Sequence, residues 1–144
     1  MIAVAFLQNP YFPEGTPQET IDAYRYDQEA HRVALLKSMS GKRLKKAFGD
    51  YFDQIHWDNA NPAHGEKPSD RLPPDLNHME AVIRLHSPAI VLCFSRTAEA
   101  GMNELVMTMR TDCAFAYCPH PNARGITNKE LSDFAQRIIN AYLV

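Results

Sequence analysis

Four groups of polar side chains in this 144-residue sequence have the types needed for hydrogen-bonding and proton chemistry. Each group directly follows an apolar run, and the groups are Gln8-Asn9, Asn59 with Asn61, Ser95-Arg96, and His120 with Asn122. An asparagine amide offers both donors and an acceptor, so it can read the edge of a nucleobase. His120 is flanked by two prolines, and a histidine held in this way can donate a hydrogen bond to a developing anion.

Each group also has a plain structural explanation. Asn9-Pro10 is a common turn signal, and Asn59 and Asn61 tolerate the backbone angles of turns. His120 could equally be a surface residue in a proline-rich corner. The residue types alone leave both interpretations open. A functional role requires that the fold bring the four groups together.

The elements that position these groups alternate between strands and helices. Apolar runs predict strands at Ile2–Leu7, Tyr51–Trp57, Ala89–Phe94 and Cys113–Cys118. Short runs that are apolar on both faces are typical of buried parallel strands. We therefore predict an α/β fold, a three-layer αβα sandwich with a central, mostly parallel sheet of about four strands. Ligands bind beyond the carboxyl ends of such strands, so the four polar groups are expected to meet in one cleft.

Capping residues mark the predicted helices. Thr16 is expected to cap a helix that runs to about Met39, and Ser40 a short helix, Gly41–Phe48, that Gly49 ends. Further helices are predicted at Asp75–His86, after Ser95 to about Met107, and after Thr127 to about Leu143. A proline-rich loop lies between residues 58 and 74, and loops of that length are often functional. The length suits one domain covering residues 1–144.

Composition narrows the functional classes. Hydrophobic residues make up 45% and charged residues 22% of the chain, as in ordinary globular domains. The net charge of −2 argues against non-specific electrostatic binding of nucleic acid, although a local basic patch could still grip phosphates. The chain lacks an apolar stretch of about 20 residues and a basic leader, so neither a membrane span nor a signal peptide is expected. Three cysteines without a leader favour a cytoplasmic protein with reduced thiols.

Metal binding and covalent catalysis are the main rival chemistries. Cys113, Cys118 and His120 lie close together, but no second ligand pair follows at zinc-site spacing. Both cysteines border an apolar run, which suits packing, so we expect no metal site. The sequence contains neither a phosphate-binding loop of the Walker type nor a nucleophile elbow.

Two basic features could contact phosphate. Lys42 and Arg43 lie early in a short predicted helix, where free N–H groups attract anions, although such a run is more commonly a solvated helix face. Arg124 follows His120 closely and could reach a phosphate or enter a duplex.

The strand-end motifs, taken in order, resemble those of the uracil-DNA glycosylase superfamily. Gln8-Asn9-Pro10-Tyr11 is similar to its first motif, which reads Gly-Gln-Asp-Pro-Tyr in the best-known branch and has Asn-Pro in the mismatch-specific branch. His120-Pro121-Asn122 is similar to the second motif, His-Pro-Ser, and Asn59 matches a strand-two asparagine that reads uracil. The stretches 40–44 and 91–98 look like the framework of compact, partly phage-associated members. The likeness covers nearly the whole chain.

The resemblance implies an enzyme of base excision repair that flips a base from DNA and hydrolyses its N-glycosidic bond. Asn9 and His120 would be catalytic, with Asn9 orienting water and His120 donating to the base oxygen. The implied base-binding residues are Gln8, Tyr11, Phe12 and Asn59, and the implied DNA-binding residues are Lys42, Arg43, Asn122 and Arg124. The resemblance implies DNA as the partner and no metal or organic cofactor.

Two other functions stay open at this point. One is a weak or inactive protein of the same fold that binds DNA, a nucleotide or a protein. The other is an enzyme that acts on a free nucleoside or nucleotide. Since Asn9 stands where the best-known branch has Asp, any excision is expected to be slow, because an amide can orient water but supplies no charge.

Overall fold

The computed structural model describes residues 2–65, 67, 69–122 and 125–143. Four parallel strands form one sheet with the order β2-β1-β3-β4. The strands are β1 (Ala3–Phe6), β2 (Ile55–Asp58), β3 (Ile90–Cys93) and β4 (Phe115–Tyr117). Both central strands, β1 and β3, are buried along their whole length, as their uninterrupted apolar sequences predict.

Helices cover both faces of the sheet. The helices are α1 (Gln18–Tyr26), α2 (Gln28–Lys37), α3 (Met39–Phe48), α4 (Leu76–His86), α5 (Arg96–Met107) and α6 (Asn128–Ile138). Helices α3 and α6 pack on the face that carries Ala5 and Leu92. Helices α4 and α5 pack on the opposite face, against Val4 and Val91. The fold is therefore the predicted three-layer α/β sandwich with a parallel sheet.

The prediction of one long helix from Thr16 to about Met39 is wrong. The chain leaves helical geometry at Asp27, whose carboxylate accepts from the backbone N–H groups of Glu29 and Ala30 and so caps α2. An aspartate that bonds nearby backbone in this way competes with the helix interior. Thr16 does not act as a cap, because its hydroxyl donates to the carbonyl of Pro13.

Two predicted boundaries near the second strand also differ. Ser38, not Ser40, caps α3 by accepting from the N–H of Gly41. Residues 49–54 form a 3₁₀ turn rather than the start of β2. The aromatic residues that suggested a strand are used in packing, since Phe52 stacks on Trp57 and its carbonyl accepts from the indole N–H.

The caps at the other helix starts are confirmed. Ser95 caps α5 by accepting from the N–H of Ala98, and Thr127 and Glu130 form a capping box at α6. Gly49 ends α3 with φ +57°, a conformation that favours glycine. In the part of the chain that the structure describes, no helix has the length and apolar character needed to cross a membrane.

A close approach between α2 and α3 depends on Gly41. A Cβ atom there would overlap the carbonyl group of Leu35, which is backbone and cannot move aside. We predict that Gly41→Ala lowers the free energy of unfolding by about 3 kcal/mol, the upper end of over-packing effects. Urea denaturation measures this change. Lys42→Ala, at an exposed position of the same helix, is the control; an equal loss in both variants would contradict the explanation.

Candidate active site

An open cleft of about 420 Å³ lies at the carboxyl ends of β1, β3 and β4. From β1 the chain passes to β2 on one side of β1, whereas β3 and β4 lie on the other side of β1. A crevice at such a reversal is the usual ligand position in open α/β sheets. The cleft is lined by Gln8, Asn9, Arg71, Ser95, Arg96, Tyr117, Pro119, His120 and Asn122.

Three of the four predicted polar groups meet in this cleft. Gln8-Asn9 follow β1, Ser95-Arg96 follow β3, and His120 with Asn122 follow β4. Ser95 fixes the distance between two of these ends, because its hydroxyl donates to the carbonyl of Leu7 and accepts from the N–H of Ala98. The fourth group, Asn59 with Asn61, is not part of the lining.

His120 is held in one tautomer by its own loop. The backbone N–H of Asn122 donates to Nδ1 of His120 at 3.1 Å. A backbone N–H can only donate, so Nδ1 carries no proton, and the proton of the neutral ring is on Nε2. No described residue accepts from that Nε2–H. Burial, together with the nearby charge of Arg71, lowers the pKa of His120 to about 4. At neutral pH the cleft therefore contains a neutral imidazole with one donor available.

The charges around the cleft are positive. Arg71 and Arg96 are in the lining, and none of the described residues of the lining is an aspartate or glutamate. The guanidinium of Arg96 lies 4.0 Å from the ring centroid of Tyr117 and also pairs with Glu99 at 2.8 Å. A cationic cleft on a chain with net charge −2 favours an anionic ligand at this place.

Asn9 connects the proline-rich loop to the cleft. Its Oδ1 accepts from the N–H of Leu72 at 3.1 Å, and its Nδ2 donates to the carbonyls of Pro10 and Asp70, each at 3.3 Å. These bonds hold the segment that carries Arg71 beside His120. One lone pair of Oδ1 is left for a water, since each carbonyl oxygen has two.

Asn59 lies in a second pocket of about 290 Å³ beside β2. Its Nδ2 donates to the hydroxyl of Tyr24 at 2.9 Å. Phe12 is directed to the same side, with edge contacts to Tyr24 and His64. Tyr11 pairs with Gly65 through an isolated parallel bridge and is 38% exposed. The structure therefore does not bring Tyr11, Phe12 and Asn59 into the lining of the cleft.

The carboxylate of Asp58 in the second pocket is bonded to two histidines. Burial opposes the charge of Asp58, but hydrogen bonds from His56 at 3.1 Å and His78 at 3.0 Å outweigh it and hold the pKa of Asp58 well below its usual value. Burial likewise opposes the charged form of His78, and the bond to Asp58 still raises the pKa of His78. Burial raises the pKa of Tyr24 to about 12. Among the described residues, no group of three or more His, Cys, Asp or Glu is arranged to hold a metal ion.

The predicted basic patch is divided. Lys42 is exposed on α3, whereas the guanidinium of Arg43 turns inward and bonds to Pro121, Ile126 and Asn128. Arg124 lies outside the described residues. Phosphate contact stays a prediction for Lys42, and Arg43 has protein partners instead.

Sequence reasoning missed Arg71 and Tyr117 in the cleft. Tyr117 is the last residue of β4. Its position within an apolar run suggested packing and not a place in the cleft. Arg71 belongs to the loop that the sequence marks as functional, but linear spacing does not indicate which of its residues reaches the cleft. The bonds from Asn9 make that selection.

Comparison with known proteins adds no relative: the chain matched no protein-family model, no curated protein and no solved structure. The class that fold and site define is therefore an α/β domain with a cationic cleft at its strand ends.

Asn9→Asp tests the connection between the loop and the cleft. The substitution places an oxygen opposite the carbonyls of Pro10 and Asp70, where the amide donates. We expect a loss of about 1–3 kcal/mol in the free energy of unfolding, the size of an unsatisfied buried polar contact. We also expect faster hydrogen exchange in the loop segment around Asp70, which loses its bond to the side chain at position 9, measured by mass spectrometry. Asn103→Asp, the same change at an exposed position of α5, is the control and should change neither quantity.

Proposed function

We propose that this chain hydrolyses the N-glycosidic bond of a uracil base flipped out of DNA. The observation that carries the proposal is the neutral His120 in a cationic cleft, whose Nε2–H has no acceptor among the described residues. A donor of this kind stabilises the charge that develops on a departing base. The order of strand-end motifs in the sequence supports the same chemistry.

The reaction needs few groups from the protein. The C1′–N1 bond breaks and its electron pair leaves with the base, which becomes a uracil anion. His120 donates Nε2–H to the base oxygen as that charge grows, without giving up its proton. A water molecule adds to the sugar at C1′ and releases one proton to the surrounding solvent, and the remaining lone pair of Asn9 Oδ1 orients that water. The charges of Arg71 and Arg96 favour both the DNA phosphates and the anionic product.

Base recognition is assigned to amides in the cleft. Asn59 has its amide bonded to Tyr24 in the second pocket. Gln8 and Asn122 line the cleft, and Gln8 keeps its carbonyl oxygen available while its Nε2 donates to Thr97 at 3.2 Å. We propose that these two amides, instead of Asn59, read the edge of the base.

A second candidate function is a binder of DNA or a nucleotide that does not cleave. The observation that favours it is that the described residues of the cleft lining include no carboxylate. In such a lining no negative charge stabilises the cationic sugar, and no carboxylate accepts the proton of the attacking water. Base release separates the candidates, measured on oligonucleotides with uracil opposite G, opposite A and in single strands, beside free deoxyuridine. Release from free deoxyuridine alone would instead favour a nucleoside hydrolase.

His120→Ala should lower any base release by roughly 10²–10³-fold, the usual loss for an electrostatic donor. Because the pKa of His120 is about 4, the ring stays neutral as the pH falls, and we expect no inflection of the rate at the ordinary histidine pKa of about 6.5. The rate should fall only near pH 4, where protonation of Nδ1 breaks the bond from Asn122.

Single-turnover assays across pH measure both effects. His64→Ala is the matched control, since His64 lies outside the cleft lining and should leave the rate unchanged. If His120→Ala releases base as fast as the wild type, His120 has no role in the mechanism.

The cationic lining predicts a salt-dependent affinity for DNA. Arg71→Gln and Arg96→Gln should each reduce the slope of log affinity against log salt by about 0.9 on duplex DNA if each contacts one phosphate. Fluorescence anisotropy over a salt series measures the slope. Arg84→Gln is the control. Arg84 is in the last turn of α4, which leads into the amino end of β3, at the edge of the sheet opposite the cleft. Unchanged slopes in both cleft variants would place the DNA elsewhere.

A further inference from the structure

Arg43 of α3 bonds to both sides of the loop that carries His120. Its guanidinium donates to the carbonyl of Pro121, to the carbonyl of Ile126 at 2.9 Å, and to Oδ1 of Asn128 at 3.0 Å. These acceptors span the connection between β4 and α6. Arg43 is not part of the cleft lining, so any effect on chemistry there must pass through another group.

The peptide group between Pro121 and Asn122 provides that path. Its carbonyl oxygen accepts from Arg43, and its N–H donates to Nδ1 of His120 at 3.1 Å. A single amide is thus bonded to a cation at one end and to the imidazole at the other. Hydrogen bonds with a charged donor are stronger than neutral ones, and bonds in a chain polarise one another. The charge of Arg43 therefore makes this N–H a better donor to His120.

We propose that Arg43 is a positioning residue that acts on His120 through this single peptide group. It holds the N–H of Asn122 against Nδ1 and so keeps the proton of the neutral ring on Nε2, which lines the cleft side of the site. The consequence for base release rests on the proposed function. The tautomer itself is a property of the protein without DNA and can be tested separately.

The neighbouring lysines show that charge on α3 alone does not create this arrangement. Lys42 and Lys46 are exposed on the same helix and donate to neither Pro121 nor Ile126. A lysine is a point charge, whereas the planar guanidinium can reach several fixed acceptors at once. The relay is therefore specific to an arginine at position 43.

The test measures the imidazole of His120 by long-range ¹H–¹⁵N correlation spectra in wild type, Arg43→Gln, Arg43→Lys and Lys46→Gln. Wild type and Lys46→Gln should show an unprotonated Nδ1 and a protonated Nε2. Arg43→Gln should show a mixture of tautomers and a His120 that titrates at higher pH. Arg43→Lys keeps the charge without the fork and should lie between the two. Wild-type spectra in both Arg43 variants would overturn the proposal.

Asn128→Ala separates the relay from general support of the loop. It removes one acceptor of Arg43 and leaves the bond to Pro121 in place. The tautomer should then stay as in wild type; a mixture as large as in Arg43→Gln would show that loop anchoring alone is responsible. If Arg43→Gln does not fold, Arg43→Lys and Asn128→Ala still decide, because a relay predicts a change only in the former.

Base release gives the second measurement. If the wild type is active, Arg43→Gln should lower the single-turnover rate roughly 10- to 100-fold, the usual effect of losing a partner that orients a functional imidazole. DNA affinity should change no more than in Lys46→Gln. A wild type that releases no base would defeat the proposed function, while the spectra would still support or overturn the role of Arg43.

Discussion

The parallel pairing of β1 with both β2 and β3 is the constraint on which the site depends. All four residues of β1 are fully buried and carry no polar side chain, so β1 contributes polar groups only through the residues that follow it. Parallel pairing puts the carboxyl ends of all strands at one edge. The polar residues that follow β1, β3 and β4 therefore meet there, whereas Asn59 after β2 lies in the second pocket. The reversal of strand order at β1 opens the crevice between them.

Electrostatics within that crevice differ from those of the whole chain. The protein is slightly acidic, yet the cleft combines two arginines with an imidazole that stays neutral at physiological pH. The neutral state has a local cause, because burial and the charge of Arg71 both oppose protonation of His120. The bond from Asn122 then selects which nitrogen keeps the proton. Such a site is suited to stabilising negative charge on a ligand and not to transferring protons to it.

Several polar residues near the site are bonded mainly to the protein itself. Asn9 bonds to three backbone groups, and Arg43 bonds to two carbonyls and an amide. These bonds position Arg71 and His120, which come from distant parts of the chain. The cleft geometry therefore depends on residues behind the surface as much as on those that face a ligand.

Local periodicity and capping chemistry depend on neighbouring residues, so the sequence alone predicts the alternation of apolar strands and capped helices and hence the α/β class. The sequence also predicts that Gln8, Asn9, Ser95, Arg96, His120 and Asn122 lie at strand ends, where parallel pairing brings them together.

Other features of the site depend on contacts between residues that are distant in sequence. Asn59 lies in the second pocket because its amide donates to Tyr24, and Phe12 packs against the ring of the same tyrosine. Arg71 entered the cleft because Asn9 bonds to its loop from about 60 residues away. Arg43 turned inward because carbonyls of the β4–α6 loop lie within reach of its guanidinium. Such partners are distant in sequence, so no local pattern reveals them.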